Sequence, residues 1–449
     1  MNSFDFNTTA TLVVFAGVIL LIAFDLIDML LAAMLGVSVL IVLGIFTARD
    51  VVSISQTAGG PIALLFGGMV VARVLSPTGL FELLGTVYLR ATRGSGKRFL
   101  LGLIVLVAPL CAMLPNATTV ILLAPVIIRV ATALEIDFVP PMILAAVISN
   151  SAGMLTLVGD PATFLVGSSI GMTFNQYLQR VSLGGLLSLL VIIPLLPRLM
   201  RVQWQTRRTL SGDLRLKPLE RSWFAFFALM VMAVMMFLFI FGERTPTHIV
   251  PPGVAIIVAT LALLIIYAMK VEPVTNVLKD VDWRTIIFLI CLFCLVQAFN
   301  KTGLLQNFSQ NLYSWFGTNL IIISLIVLAG VGCLSSLLAN IPVVAATLLM
   351  VKGYLVTAEL VPEMALDPTF TEWPARVIPL FVAMMFSATL GGNATLIGAS
   401  ANVASSGICA LHGRPVSFLT FMRYGVPITL WQLAIGALYV MGLFFFTGR

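Results

Sequence analysis

Ser149-Asn150-Ser151-Ala152-Gly153-Met154-Leu155-Thr156-Leu157-Val158-Gly159-Asp160-Pro161 has the composition of a loop. It nevertheless overlaps one uncharged apolar window, Phe138–Gly159, and adjoins another, Pro161–Gln179. Each window is long enough to cross a bilayer as a helix. Gly153, Gly159 and Pro161 are expected to unwind that helix in mid-membrane. A second stretch has the same character: Ser387-Ala388-Thr389-Leu390-Gly391-Gly392-Asn393-Ala394-Thr395-Leu396-Ile397-Gly398-Ala399-Ser400-Ala401-Asn402. Lipid cannot satisfy freed N–H and C=O groups, so such backbone must lie in protein or in a wet cavity. Half-helix ends carry partial charges suited to ions.

Composition agrees. The chain has 449 residues, of which 60% are hydrophobic and only 10% charged, against about 25% charged in a soluble domain. That is too little charge to cover a soluble surface, and it excludes a cytosolic enzyme, a nucleic-acid binder and a disordered protein. Further uncharged windows are Met29–Ala48, Phe99–Ile128, Ser222–Gly242, Ile249–Met269, Thr302–Val351 and Val377–Leu411. Ala10–Phe24 is expected as a short first membrane helix, because Asp5 stands where a cleavable signal would be positive. The five cysteines lie in apolar runs and exclude a disulfide scaffold; Cys291 and Cys294 read as packing thiols.

Two windows exceed one span. Phe99–Ile128 would be about 45 Å long as a helix, against a hydrocarbon core of about 30 Å. It is interrupted at Pro115-Asn116, and Thr302–Val351 is interrupted at Asn340-Ile341-Pro342. Proline beside asparagine is a turn signal. Each window reads either as a helical hairpin with its polar tip near the midplane or as a kinked helix with a buried asparagine.

The two halves of the chain match. Asn340 lies 224 residues after Asn116, and Thr302-Gly303-Leu304 follows Thr78-Gly79-Leu80 at the same offset. Thr156-Leu157-Val158-Gly159 matches Thr395-Leu396-Ile397-Gly398 at an offset of 239, with the extra residues placed in Val356–Trp373. Internal repeats are characteristic of secondary transporters. The first half is expected to cross at Met29–Ala48, Pro61–Tyr88, the break around Gly159, and Val181–Pro197. The second is expected to cross at Ile249–Met269, Arg284–Phe299, the break around Gly398, and Gly425–Thr447. Ser222–Gly242 is one extra helix, so the repeats are inverted. The predicted organisation is an N-terminal helix 1–27, repeat one 28–200 (tip near 116, hinge 153–161), a basic loop and linker helix 201–247, and repeat two 248–449 (tip near 340, hinge 391–402).

Sixteen basic residues fall in loops on one side, led by Arg198–Arg221, and five on the other. The positive-inside rule places the sixteen in the cytoplasm and both termini outside, in a multi-pass protein of the cell membrane. The acidic loop Glu359–Glu372 then lies outside.

Asp160 is the acid within the first break, where a charge at mid-bilayer costs roughly 3 kcal/mol on insertion scales and so faces a cavity. It reads as the ligand of a coupling cation or proton, or as the N-cap of a half-helix starting at Pro161; the roles are compatible. Candidate substrate or ion contacts are Asn116, Thr118, Thr119, Asn150, Ser151, Thr156, Gly159, Asp160, Asn340, Asn393, Thr395, Ser400 and Asn402. Arg129 and Lys352, late in the second arm of each hairpin, are expected to snorkel to the interface. Arg73 falls in mid-span and has no role assigned from sequence. Asp25 and Asp28 mark the end of the first helix, and His248 reads as a loop residue. Gly398-Ala399-Ser400 with His412 permits an intramembrane serine protease, but the repeat already explains these residues and no enzyme is expected.

Gly391–Asn402, Thr156–Pro161 and the two asparagine tips resemble the ion transporter superfamily, in its branch of arsenite permeases and the melanosomal P protein. NhaD-type sodium/proton antiporters and dicarboxylate transporters are more distant. The similarity runs from about Asp28 to Phe446. It implies a homodimer whose scaffold domain supports a transport domain, holding both hairpins and both breaks, that moves as an elevator. Two departures stand out. Dicarboxylate transporters carry Ser-Asn-Thr at both tips, where this chain has Pro115-Asn116-Ala117 and Ala339-Asn340-Ile341. P-protein-like members carry Asp before each tip Asn, where Pro115 and Ala339 stand, leaving Asp160 as the main carboxylate.

The expectation is an all-α polytopic transporter of a small inorganic ion or metalloid oxyanion of the arsenite type, working by alternating access. No cofactor is expected beyond a coupling sodium ion or proton. Its partners would be the solute, the lipid bilayer and a second copy; nucleic acid is not among them. An ATP-driven pump is not expected, because no GxxxxGK[ST] motif occurs, although a partner ATPase stays open. Alternatives are a sodium/proton antiporter and a sodium- or proton-coupled carboxylate or anion transporter.

Overall fold

The computed structural model describes residues 6–23, 26–209, 222–338, 340–366 and 370–447. Regular structure in them is helical, apart from an isolated bridge between Ser95 and Arg207. Among the described residues, eight helices are long and apolar enough to cross a membrane. Asp5, Asp25, Arg215, Lys217, Arg221, Ala339 and Arg449 lie outside the described residues.

α1 (Phe6–Ala23) leads to α2 (Met29–Val42). Asp28 caps α2, accepting the Leu30 N–H at 2.9 Å, and also pairs with Arg284. α3 (Ala48–Leu75) starts where the Thr47 N–H donates to Asp50 at 2.6 Å, and Lys301 reaches the same carboxylate at 3.1 Å. Pro61–Tyr88 is not the single span expected from sequence. The chain turns at Ser76-Pro77-Thr78, Gly79 takes φ +76°, and α4 (Leu80–Thr92) sets off separately. Left-handed backbone is cheap only for glycine, which explains the Thr-Gly-Leu signal.

α5 (Gly96–Cys111) and α6 (Asn116–Ala133) are joined by the turn 112–115, and α7 (Val139–Gly153) and α8 (Pro161–Ser169) by the segment 154–160. α9 (Phe174–Tyr177) runs through one wide turn into α10 (Leu183–Leu190), followed by α11 (Leu196–Leu199) and α12 (Arg201–Gln205). α13 (Ser222–Phe241), α14 (Pro251–Ala268), α15 (Val274–Lys279) and α16 (Trp283–Lys301) come next. The long window Thr302–Val351 becomes three helices, α17 (Leu304–Phe316), α18 (Leu320–Leu337) and α19 (Asn340–Thr357), with Gly303 at φ +71° before the first. α20 (Ile378–Gly391), α21 (Ser400–Leu411) and α22 (Phe418–Thr447) complete the chain.

Every residue of α7 and α20 is buried. These are the helices that run into the two interruptions, and burial on every side fits a place at the centre. The helices after the interruptions cross over: α8 packs on α19 and α20, and α21 packs on α6 and α7. Away from this centre α3 packs on α14. A Cβ at Gly67 would lie 2.6 Å from the Ala255 carbonyl oxygen, so glycine there sets the helix separation.

Candidate functional site

Pro115 has no N–H to donate and a fixed φ, so it ends the turn 112–115 and lets α6 begin at Asn116. The turn is tied to the first interruption by hydroxyls. Thr156 donates to the Ala112 carbonyl at 2.5 Å, and Ser149 donates to the Asn116 carbonyl at 2.9 Å. In the same way Thr395 of the second interruption donates to the Ser336 carbonyl beside the start of α19. Gly153 and Gly159 permit the close approach: a Cβ at Gly153 would meet Asn116 Oδ1 at 3.0 Å, and one at Gly159 would meet the Gly153 carbonyl at 2.6 Å.

Asp160 is 3% exposed and caps α8. Its carboxylate accepts the Thr389 hydroxyl at 2.6 Å and, weakly, the Ala162 N–H at 3.4 Å. Among the described residues no Lys, Arg or His stands within ion-pair distance of it. Asn116 is also buried, and its Oδ1 has no hydrogen-bond partner. Both line a cavity of about 280 Å³ with Thr118, Asn150, Asn340 and Ser400. Six of the residues singled out from sequence thus meet at one place, contributed by α6, α7, α8, α19 and α21.

Others lie behind the cavity wall. Asn150 donates from its amide nitrogen to Asn393 Oδ1 (3.0 Å) and Asn402 Oδ1 (2.9 Å). Asn393 donates in turn to Ser151 (3.0 Å) and Gln432 (2.9 Å), and Asn402 to the Gly392 and Thr395 carbonyls at 2.8 Å. Gln432 of α22 donates to Ser151 (2.8 Å) and to the Ser188 carbonyl (3.0 Å). This network bonds the two interruptions to each other. Thr119 donates to the Pro115 carbonyl, and Gly159 lies against a separate small chamber.

Sequence reading missed Thr389, Gln432, Asp280 and Asp282. Gln432 was the readable one, an amide in an apolar helix; the two acids reach the cavity rim only through folding. Arg73 also lies on the rim and is not a mid-span orphan. It bonds Asp280 at 2.6 Å and Glu272 at 3.0 Å. Lys352 does not snorkel: it is 4% exposed, donates to the Ser169 carbonyl at 3.0 Å and stands 5.2 Å from the Trp373 ring centre. Arg129 donates to Thr86 at 3.2 Å. His248 is exposed, with Nδ1 2.9 Å from the Glu243 carbonyl.

Interrupted, buried helices that meet helix starts around a polar cavity, within a bundle of membrane-length helices, define a multi-pass membrane transporter. The chain belongs to the citrate transporter family (CitMHS), which it matches over residues 19–371, within the ion transporter superfamily. It is 41% identical to an uncharacterized transporter of Synechocystis sp. over 433 residues, 96% of each chain. It is 27% identical to the human P protein, covering 98% of this chain and 60% of that one. Its fold is similar to the crystal structure of the YdaH transporter of Alcanivorax borkumensis (TM-score 0.58, 12% identity, 88% of each chain).

Proposed function

We propose that the chain is an ion-coupled secondary active transporter of a small inorganic solute of the arsenite type, with the Asn116–Asp160–Asn340 cavity as its binding site. The observation that carries this reading is Asp160. A carboxylate this deeply buried, with a hydroxyl and a distant N–H for company, is costly without a positive partner. A coupling sodium ion or proton supplies the missing charge. The neighbouring oxygen of Asn116, buried and unbonded, offers a second ligand of the kind hard cations take.

In the same reading the two halves are inverted repeats, 28–200 and 248–449, flanking the linker 201–247. The matching ties of Thr156 to Ala112 and Thr395 to Ser336 support it, as does the left-handed glycine before both α4 and α17. The chain works as a homodimer in the cell membrane, moving its interrupted helices as an elevator, with the basic loop 198–221 in the cytoplasm.

A second reading, an organic anion transporter, rests on the family match and on Arg73 at the cavity rim. Proteoliposomes decide between them. Under the first reading, arsenite or sodium gradients drive flux and labelled citrate does not. Asp160→Asn removes the flux together with its sodium or pH dependence. Citrate uptake, or full coupling in Asp160→Asn, overturns it.

A further inference from the structure

We infer that the cavity at Asn116 is one end of a route along α3, whose other end is a second solute cavity beside Glu243. Leu64, Leu65, Met113 and Phe239 seal one end from the other. The inference rests on the transport reading above.

The second cavity is larger, about 500 Å³, and is lined by Gly60 and Pro61 of α3, by Ser168 of α8, and by Thr173, Glu243 and His248. Pro61, Leu65, Gly68 and Ala72 recur at four- and three-residue spacing and so share one face of α3. The second cavity meets α3 at Gly60 and Pro61, and the first meets it from Leu65 to Arg73, so about one helical turn, roughly 6 Å of axis, separates them. On the same face lies a chamber of about 20 Å³, walled by Leu64, Leu65, Met113, Pro115 and Phe239. That is room for about one water.

The ends and the middle differ in character. Ser168 and Ser76, at the two ends, are exposed, whereas Leu64, Leu65 and Phe239 are buried. The moving parts abut α3 where it is barest. A Cβ at Gly60 would fall 2.9 Å from the Phe164 ring, and one at Gly68 would fall 2.8 Å from the Pro115 ring. An ion cannot shed its water into an apolar seal of this width at acceptable cost, so the seal separates the two compartments. Leu and Met side chains have rotamers to swing aside, and a slide of Pro115 along Gly68 would carry the binding site past it. Both cavities present carboxylate and hydroxyl oxygens, Glu243, Ser168 and Thr173 beside His248 at one end, and Asp160 and Thr118 at the other, where Arg73 is already paired with Asp280 and Glu272. That chemistry suits a small cation or uncharged solute over a polyanion.

Single cysteines at Ser168, Ser76 and Leu64, in a Cys333→Ser background, test this in sealed vesicles with a membrane-impermeant maleimide added from either face. Ser168→Cys should react from one face only and Ser76→Cys from the other only. Leu64→Cys should react at least about tenfold more slowly than both, since thiol labelling follows access. Met113→Cys replaces Leu64→Cys should that variant fail to reconstitute. Labelling of Ser168→Cys and Ser76→Cys from the same face, or a seal cysteine as reactive as either, overturns the route. Labelling needs no identified solute, so a chain that labels as expected yet carries no tested solute contradicts the transport reading and leaves the route intact.

Discussion

The two interrupted helices use one backbone device for two chemistries. After α7 the chain unwinds through Gly153 and Gly159 and restarts at Pro161 under an Asp160 cap. After α20 it unwinds through Gly391 and Gly398 and restarts at Ser400 with Ala399 in the capping position and no side-chain cap bond. Both are anchored by a threonine hydroxyl to the neighbouring helix pair. Only the first carries a charge, and the second serves it by lending the Thr389 hydroxyl. Two similar breaks in the main chain thus support one asymmetric charge. Shape comes from glycine and proline, with no room for a Cβ at Gly159 or Gly398, whereas a buried carboxylate needs its own partners.

The largest effect should separate the two interruptions. Asp160→Asn is expected to lower ion-driven flux at least tenfold, since a tenfold change corresponds to only about 1.4 kcal/mol. Ser400→Ala, at the uncharged counterpart, should change it less than about threefold; equal losses in a flux assay would erase the distinction. Next comes the link between them. Gln432→Ala leaves Asn393 and Ser151 short of partners in a buried network, at about 1–3 kcal/mol, read as earlier thermal unfolding in detergent. A silent Gln432→Ala would mean that the interruptions are held by packing alone. Gly79→Val and Gly303→Val should each cost about 1–2 kcal/mol through left-handed backbone, and their similarity is the point. If one is neutral by the same thermal assay, the two Thr-Gly-Leu turns are not equivalent. Thr156→Val and Thr395→Val should be mildest, about 1 kcal/mol each for one hydrogen bond; strongly unequal losses would show that one anchor holds more than the other.

Much of this was legible before folding. The windows, the turns at Pro115 and Asn340, and both interruptions lie where apolar runs meet glycine, proline and asparagine, because those residues alter local backbone geometry wherever they stand. Asp160 was legible for the same reason, as an acid inside an uncharged stretch. Helix limits were less so: Pro61–Ser76 is apolar apart from Arg73, and the left-handed Gly79 shows that α4 is separate. Lys352 was misread because charge alone suggests the interface, while the Ser169 carbonyl and the Trp373 ring that hold it are 183 and 21 residues away in sequence.

Composition and punctuation were enough to establish a membrane-spanning all-helical chain with two broken helices, since hydrophobicity and backbone restriction are properties of residues themselves. Which residues share the cavity, and which only brace it, followed from packing. Asn393 and Asn402 look like ligands in the linear text, but α8 and α21 cross over to the opposite helix pairs. That crossing turns both asparagines inward onto Asn150 and Gln432, and leaves Asn116 and Asp160 facing the open space. Distances between residues hundreds of positions apart are set by the sum of all helix contacts, and no local spacing encodes them.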